Sequence, residues 1–195
     1  KGRIRISNKH AMNQFSLELK KIHKILVNGG VIAYPTESVF GLGCDPSNKQ
    51  AVARILEIKN RTLEKGFVLL TPSIARISGW VKMDKKQLKT FSSPSKRPTT
   101  YIVPASVVAP KWLAVKNTLA IRLTNDPFIK SISDMLGLPI VSTSANLHGE
   151  NPCKSAEEVQ KTMGSQLDYI VFKQTGPFNN PSTIVDLSSG KTIRP

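Results

Sequence analysis

Short apolar segments that end at turn residues alternate with stretches of helical periodicity along this chain. Apolar residues recur at helical spacing over residues 15–28, and the Gly-Gly pair at 29–30 is a stop signal. The apolar run 31–34 comes next and closes at Pro35, which is typical of a buried strand that ends in a turn. A helix joined so closely to a strand favours a sheet with helices packed against it.

The same alternation continues to the end of the chain. A second helix is predicted after Ser47 and Asn48, which can cap it, and Lys59 lies near its end. The remaining predicted elements are strands at 67–70, 99–103, 119–123, 140–142, 169–172 and 183–187, and helices at 85–91, 128–136 and 155–163. Some of the last strands are too close together for crossover helices, so we expect them to pair antiparallel. The sequence therefore predicts an α/β fold with a twisted mixed sheet flanked by helices, in a single domain that covers residues 1–195.

The balance of charge is strongly basic. Lys and Arg number 28 against 13 Asp and Glu in 195 residues, which gives a formal net charge of +15. A field of this strength attracts anions and speeds their association, so ATP, tRNA and other polyanions are candidate ligands. Solubility, or a general bias toward lysine, explains the same excess equally well.

The sequence indicates a cytoplasmic protein without a membrane anchor. No window approaches the roughly 18 unbroken apolar residues that a spanning helix needs. The basic residues 1–10 lead into no short apolar stretch with a small-residue cleavage site, which argues against a secretory signal. Cys44 and Cys153 lie far apart, without a C-x-x-C pair, and we expect both to be buried reduced thiols.

The motifs of several common enzyme classes are missing. There is no G-x-x-x-x-G-K-[ST] loop, and Gly41 and Gly43 lack the third glycine of a dinucleotide fingerprint, so we expect these glycines to serve a turn. His10, His23 and His148 stand in no H-E-x-x-H or G-x-S-x-G context. The sequence predicts neither a zinc protease nor a serine hydrolase, and it offers no dedicated metal ligands.

Two polar clusters can bind a ligand, although each has a purely structural alternative. Lys59 and Arg61 stand around the end of the second helix and can converge on one anion, but a solvated basic turn would also suit that position. The segment S-T-S-A-N at 142–146 follows an apolar strand, where open α/β sheets place ligand-binding loops. Its Ser and Asn side chains can also simply cap the next turn.

Four motifs taken together resemble the YrdC/TsaC family, and the match spans nearly the whole chain. They are Y-P-T-E-S-V-F-G-L-G at 34–43, K-x-R at 59–61, S-T-S-A-N-L-x-G at 142–149 and P-S-T at 181–183. The first and third are long enough to be specific, and the other two gain value from their order and spacing. The short bacterial form is the closer match, and it implies a sheet with a basic concave groove that holds ATP, L-threonine and bicarbonate.

The resemblance also implies a reaction. In this family the amine of threonine captures CO2 from bicarbonate, and the resulting carbamate attacks the α-phosphorus of ATP and expels pyrophosphate. The product, threonylcarbamoyl-AMP, supplies threonylcarbamoyladenosine at the tRNA adenosine next to the anticodon, through a downstream TsaD-type tRNA-modifying complex. Mg2+ is expected as a cofactor that bridges phosphate oxygens of ATP rather than sitting in a protein cage.

Family membership would give two groups of residues a role. The residues implied to contact ATP, of which the first two are implied to be catalytic, are Lys59, Arg61, Thr100, Asn146 and Arg194. The residues implied to surround threonine are Thr36, Arg122, Ser144 and Ser182.

Arg122 is notable apart from the resemblance, because it interrupts the apolar strand predicted at 119–123. An unpaired buried guanidinium is costly, so a carboxylate partner is expected. The resemblance makes that partner the carboxylate of threonine, whereas the residues alone favour an internal Asp or Glu equally.

The chain departs from the common family pattern in two places. Residues 93–100 read S-P-S-K-R-P-T-T, where many relatives read W-P-G-P-x-T. The resemblance therefore does not predict the geometry of the nucleotide-side loop. Leu70 stands where some longer relatives carry a histidine near the threonine, and a weaker affinity for threonine is expected.

Two other functions remain open at this stage. A charge of +15 can support binding of tRNA or double-stranded RNA without catalysis, although no aromatic RNP-like strand is present. YrdC-like modules of larger carbamoyltransferases perform O-carbamoyl adenylation, and this chain shows none of the additional domains those proteins carry.

Overall fold

Helices and strands alternate as the sequence predicts in the computed structural model, which describes residues 2–95, 97–178 and 181–195. The helices are α1 (Gly2–Val27), α2 (Lys49–Ile58), α3 (Lys85–Ser92), α4 (Pro127–Leu136) and α5 (Ala156–Met163). The strands are β1 (Ile32–Pro35), β2 (Phe40–Gly43), β3 (Val68–Thr71), β4 (Thr99–Pro104), β5 (Thr118–Leu123), β6 (Ile140–Ser144), β7 (Tyr169–Ile170), β8 (Thr183–Asp186) and β9 (Thr192–Arg194).

The predicted helix and strand signals are confirmed where they were strongest. Helix α1 covers the predicted segment 15–28 apart from its last residue, extends further toward the N-terminus, and is followed by Gly29 with a φ of +81°. Such a left-handed backbone favours glycine, so the stop signal works as expected. Helix α2 begins where the Asn48 side chain accepts a hydrogen bond from the backbone N–H of Ala51 at 3.0 Å.

The strands form one mixed sheet in the order β7-β1-β2-β6-β3-β5-β4-β8-β9. Three pairs are parallel, namely β1 with β7, β3 with β5 and β4 with β8, and the other five pairs are antiparallel. The prediction of a mixed sheet with antiparallel pairs is therefore confirmed.

The expectation that Gly41 and Gly43 serve a turn is wrong, because both lie in strand β2. A Cβ atom on Gly43 would stand 2.6 Å from Cε1 of Tyr34 and 2.7 Å from the backbone oxygen of Val141. A Cβ atom on Gly41 would stand 3.2 Å from the Thr36 side chain. These glycines let β2 pass between its two neighbours where a side chain would not fit.

The two faces of the sheet are covered differently. On one face, buried side chains of α2 and α5 such as Ile55 and Val159 pack in the larger core with Leu69. On the other face, α1 and α4 pack against Tyr34 and Leu70. Register pairs Leu70 with Arg122, so the side chains of both residues leave the sheet on the same face. This second face continues past the helices and remains open near Arg122.

Both cysteines are free and buried, as predicted. Burial raises the pKa of the Cys44 thiol and that of the Cys153 thiol. Among the residues that the structure describes, no helix is both long and apolar enough to cross a membrane.

Candidate active site

A cavity of about 730 Å3 opens on the second face of the sheet, next to the part that α1 and α4 cover. Gly41 and residues of β3, β4, β5, β6 and β8 contribute to its walls. The cavity is large enough for a nucleotide-sized ligand. Seven of the nine predicted site residues line it, namely Thr36, Arg61, Thr100, Arg122, Ser144, Ser182 and Arg194.

Four cationic residues contribute to the cavity lining. They are Arg61, Arg122, Arg194 and Lys154, and no Asp or Glu occurs among the described residues that line it. A cavity lining that carries cations and no carboxylates favours an anionic ligand. Lys154 was not predicted, because it stands in a short polar segment that carries no periodicity of its own and reaches the cavity only through the fold.

Lys59 differs from the other predicted cations because it does not line the cavity. It is 3% exposed, and its Nζ donates hydrogen bonds to the Ser144 oxygen at 2.5 Å, the Asn146 oxygen at 2.9 Å and Asn146 Oδ1 at 2.8 Å. These contacts use all three donors of the ammonium group. Burial, with a further effect from the charge of Arg61, lowers the pKa of Lys59 to about 8. The geometry therefore makes Lys59 the support of the loop at 144–146.

Asn146 also lies behind the cavity wall. Its Oδ1 accepts a hydrogen bond from Ser144 Oγ at 2.6 Å, and its Nδ2 donates to the backbone oxygens of Leu147 at 3.0 Å and Glu150 at 2.8 Å. The amide thus fixes the side chain of Ser144, which does line the cavity. These contacts match the structural alternative from the sequence analysis, in which Asn146 caps a local turn.

Arg61 follows the end of α2 through Asn60, whose φ of +44° turns the chain. Its Nη2 donates to the Gly66 oxygen, Nη1 donates to Thr143 Oγ1 at 3.4 Å, and Nε is buried with no hydrogen-bond partner in the part of the chain that the structure describes. The guanidinium also stands 5.7 Å from the centre of the Phe67 ring. Burial lowers the pKa of Arg61, yet a guanidinium keeps its charge in proteins. Arg61 is therefore a fixed positive charge with an unsatisfied donor in the cavity wall.

Arg122 has an internal carboxylate partner in this structure. Its Nη2 donates to Glu37 Oε2 at 3.1 Å, and Glu37 Oε1 accepts from Thr124 Oγ1 at 2.9 Å. The Arg122 side chain is 10% exposed, and within residues 2–95, 97–178 and 181–195 its Nε has no hydrogen-bond partner. The internal partner that the sequence left open is thus Glu37. Binding of the threonine carboxylate to Arg122 stays a prediction.

Three predicted residues meet where the last strands reach the cavity. The hydroxyls of Thr100 and Ser182 lie 2.8 Å apart, and Arg194 Nη2 donates to the Ser182 backbone oxygen at 2.8 Å. Arg194 belongs to β9, a strand that the sequence analysis did not predict, and it pairs in register with Ile184 of β8. Because β9 pairs with β8, Arg194 lies at the cavity.

The two departures from the family pattern lie at different places. Leu70 is buried in the core beneath α4, where it leaves no polar contact for a ligand. Lys96 of this loop lies outside the described residues. Of residues 93–95 and 97–100, only Thr100 lines the main cavity, while Ser93, Ser95 and Arg97 line a second cavity of about 620 Å3. The divergent loop thus mainly borders the second cavity.

Comparison with known proteins identifies relatives along almost the whole chain. The Sua5/YciO/YrdC family profile, which carries the description "Telomere recombination", matches residues 24–195. The threonylcarbamoyl-AMP synthase of Haemophilus influenzae is 39% identical over 179 residues, which cover 90% of this chain and 97% of that protein.

Solved structures agree with this comparison. E. coli YciO superposes with a TM-score of 0.77 at 27% identity and covers 90% of this chain and 87% of its own. P. abyssi Sua5 in complex with L-threonine superposes with a TM-score of 0.81 over 88% of this chain and 51% of its own. At 24% identity, the likeness to Sua5 shows the fold alone.

Proposed function

Because the chain belongs to the Sua5/YciO/YrdC family, we propose that it is a nucleotidyltransferase that condenses L-threonine, bicarbonate and ATP to threonylcarbamoyl-AMP and pyrophosphate. The observation that carries this proposal is the convergence of residues from four separate motifs on one cavity. Relatives that are named threonylcarbamoyl-AMP synthase align with nearly the full length of the chain.

The chemistry joins two anions. Bicarbonate takes up a proton and gives CO2 with release of water, and the threonine amine adds to this CO2 and loses a proton. An oxygen of the carbamate then bonds to the α-phosphorus of ATP as the bond to pyrophosphate breaks. The site must therefore screen the repulsion between carbamate and triphosphate and align the attack with the leaving group. Fixed guanidinium groups suit both tasks because they hold charge in a set direction.

The cavity offers a group for each part of the reaction. Arg61 and Arg194 are the cations for the phosphates, and Lys154 adds a third positive charge on the same lining. Arg122 is the partner for the threonine carboxylate. Lys59 supports the reaction from behind the wall, since its ammonium group is already fully used by the loop at 144–146.

The hydroxyl groups of Thr36, Ser144 and Ser182 line the cavity and are proposed to surround threonine. Thr100 is held against Ser182 and is proposed to face the nucleotide side. Asn146, which the resemblance assigns to the nucleotide, is proposed to act indirectly by fixing the side chain of Ser144.

Mg2+ is proposed to enter with ATP. Mg2+ usually keeps several of its waters and is bound through substrate phosphates, so the ion is proposed to be carried on the triphosphate. Bound there, the ion would supply charge neutralisation of the phosphate oxygens.

The biological setting is also part of the proposal. We place the enzyme in the cytoplasm, where its product would pass to a TsaD-type tRNA-modifying complex for threonylcarbamoyladenosine formation. The net charge of +15 supports weak, salt-dependent binding of tRNA or double-stranded RNA as an accompanying property.

Pyrophosphate release tests the proposed reaction. Purified protein is incubated with ATP, Mg2+ and bicarbonate, with and without L-threonine, and threonylcarbamoyl-AMP is detected by mass. Release that requires both threonine and bicarbonate, together with this product, is the expected result. Release that requires carbamoyl phosphate instead, without any response to threonine, would refute the proposal in favour of carbamoyl adenylation.

A pair of variants separates catalysis from RNA binding. Arg61→Gln removes a cation of the cavity, and Arg76→Gln removes an arginine that pairs with Asp134 and lines neither cavity. Arg61→Gln is expected to lose pyrophosphate release while RNA affinity changes as little as in Arg76→Gln. Loss of RNA affinity with normal turnover would contradict the assignment of Arg61.

A further inference from the structure

The backbone of Glu37 is held rigidly between β1 and β2. The backbone N–H of Gly176 donates to the Thr36 oxygen at 2.9 Å, and the N–H of Phe178 donates to the Glu37 oxygen at 2.9 Å. A Cβ atom on Gly176 would stand 2.9 Å from both Cα and the backbone oxygen of Glu37. The backbone at 176–178 therefore packs directly against Glu37 and fixes the position of its Cα.

The carboxylate of Glu37 reaches Arg122 from outside the main cavity. Arg122 lines the main cavity, whereas Glu37 lines only the second one. Glu37 contacts Nη2 of Arg122 with one oxygen and is held by the Thr124 hydroxyl with the other. Thr124 is itself fixed, because its backbone N–H donates to the Thr71 oxygen at 3.0 Å. The ion pair thus anchors one corner of the guanidinium.

The guanidinium of Arg122 has further donors that Glu37 does not use. Arg122 Nε is buried and has no hydrogen-bond partner among the described residues. A guanidinium offers five donors, and Glu37 accepts from Nη2 alone, so donors remain for a second carboxylate. An anion that enters the main cavity can therefore bind Arg122 without displacing Glu37.

We propose that Glu37 is a positioning residue for the amino acid substrate: it holds Nη2 of Arg122 so that the guanidinium presents its remaining donors to the substrate carboxylate in the main cavity. The inference rests on the proposed function, since it takes L-threonine as the substrate. Glu37 neither contacts the nucleotide nor takes part in the chemical step, so its effect belongs to the binding of threonine.

Steady-state kinetics of Glu37→Gln test the inference. This change keeps the size of the side chain and removes its charge. The KM for L-threonine is expected to rise about tenfold, equal to about 1.4 kcal/mol, while kcat and the KM for ATP stay within about twofold. Asp134→Asn is the matched control, because it removes a carboxylate from an arginine pair that lines neither cavity.

Two further variants show whether Glu37 acts through Arg122. Thr124→Val removes only the hydroxyl that orients the carboxylate, so a smaller rise of about threefold in the same KM is expected, and this variant keeps the test available if Glu37→Gln does not fold. In the Arg122→Lys background, Glu37→Gln is expected to have almost no additional effect, because residues that act as one unit are not additive.

The possible outcomes separate the inference from the proposed function. If Glu37→Gln lowers the KM for threonine, Glu37 competes with the substrate and the inference is wrong. An unchanged KM for threonine in Glu37→Gln and Thr124→Val, with an active wild-type enzyme, also overturns it. A folded wild-type protein without threonine-dependent turnover would overturn the proposed function itself, and the inference with it.

Discussion

Replacement of Lys59 by methionine tests whether this lysine holds the loop at 144–146 from behind the cavity. Methionine keeps the buried stem and deletes three hydrogen bonds from a charged donor, which contribute roughly 1.5–3 kcal/mol each, or about 4.5–9 kcal/mol in total. The same change removes a buried ammonium group. Burial lowers the pKa of that group from 10.5 to about 8, which corresponds to about 3 kcal/mol at roughly 1.4 kcal/mol per pKa unit. The two effects oppose each other, so the free energy of unfolding should fall by about 1.5–6 kcal/mol.

Activity should also fall under conditions in which the variant remains folded. Without its anchor the loop no longer fixes Ser144, and a displacement of about 1 Å in a substrate-positioning group can reduce the rate about 100-fold. Urea unfolding, pyrophosphate release and amide hydrogen exchange of the ligand-free protein are the measurements. Hydrogen exchange at Ala145 should accelerate even without ATP, because the N–H of Ala145 joins this loop to β2 by donating to the backbone oxygen of Phe40. Lys161→Met, an exposed lysine of α5, is the control.

Normal turnover of Lys59→Met would refute the reasoning, because the loop would then hold its shape without the lysine. Unchanged exchange at Ala145 with lost activity would refute it differently, since Lys59 would then contact ATP directly. An unfolding free energy that does not fall would show that the three hydrogen bonds contribute less than the burial of the ammonium group costs.

Further predictions concern pH, packing and phosphate binding. Because the pKa of Lys59 is about 8 in the folded protein, below its unfolded value, the unfolded chain binds more protons between the two values. Stability should therefore rise with pH from about 8 to about 10.5, and this rise should be smaller in Lys59→Met when urea unfolding is compared at several pH values. Gly43→Ala should destabilise the protein by about 1–3 kcal/mol in thermal or urea unfolding, because its Cβ would overlap Tyr34, whereas Gly79→Ala, which has open space around it, should not. Arg61→Lys should raise the KM for ATP about tenfold, because one ammonium group cannot replace a guanidinium held at two points, and an equal KM would contradict its phosphate role.

The sequence could predict those elements whose signal is local. Helix α2 has a capping residue and a periodic apolar face, and β1 has an apolar run that ends at proline, so both follow from short stretches of sequence. Strand β2 could not be predicted in this way, because glycine is unfavourable in strands unless a neighbour requires it. That neighbour is Tyr34, which meets Gly43 only through the pairing of β1 and β2.

The candidate site was predictable as a set of residues but not as a set of contacts. Arg61 and Ser144, which the motifs singled out, both line the cavity. Arg61 stands shortly after the end of α2, and Ser144 is the last residue of β6. The direction of the Lys59 side chain could not be predicted, because the same K-x-R spacing permits an ammonium group that faces a ligand or one that faces the loop behind it. Glu37 and Lys154 were missed, since their places depend on the packing of segments that are distant in sequence.

The burial of both thiols makes the protein convenient for spectroscopy. Alkylating dyes react with the thiolate, and burial both hides Cys44 and Cys153 and keeps them protonated. A cysteine introduced at an exposed position such as Val107 would therefore be labelled selectively in the otherwise unaltered chain. Pairs of such labels can report distances across the cavity mouth while ATP and threonine are added, without first replacing the native cysteines.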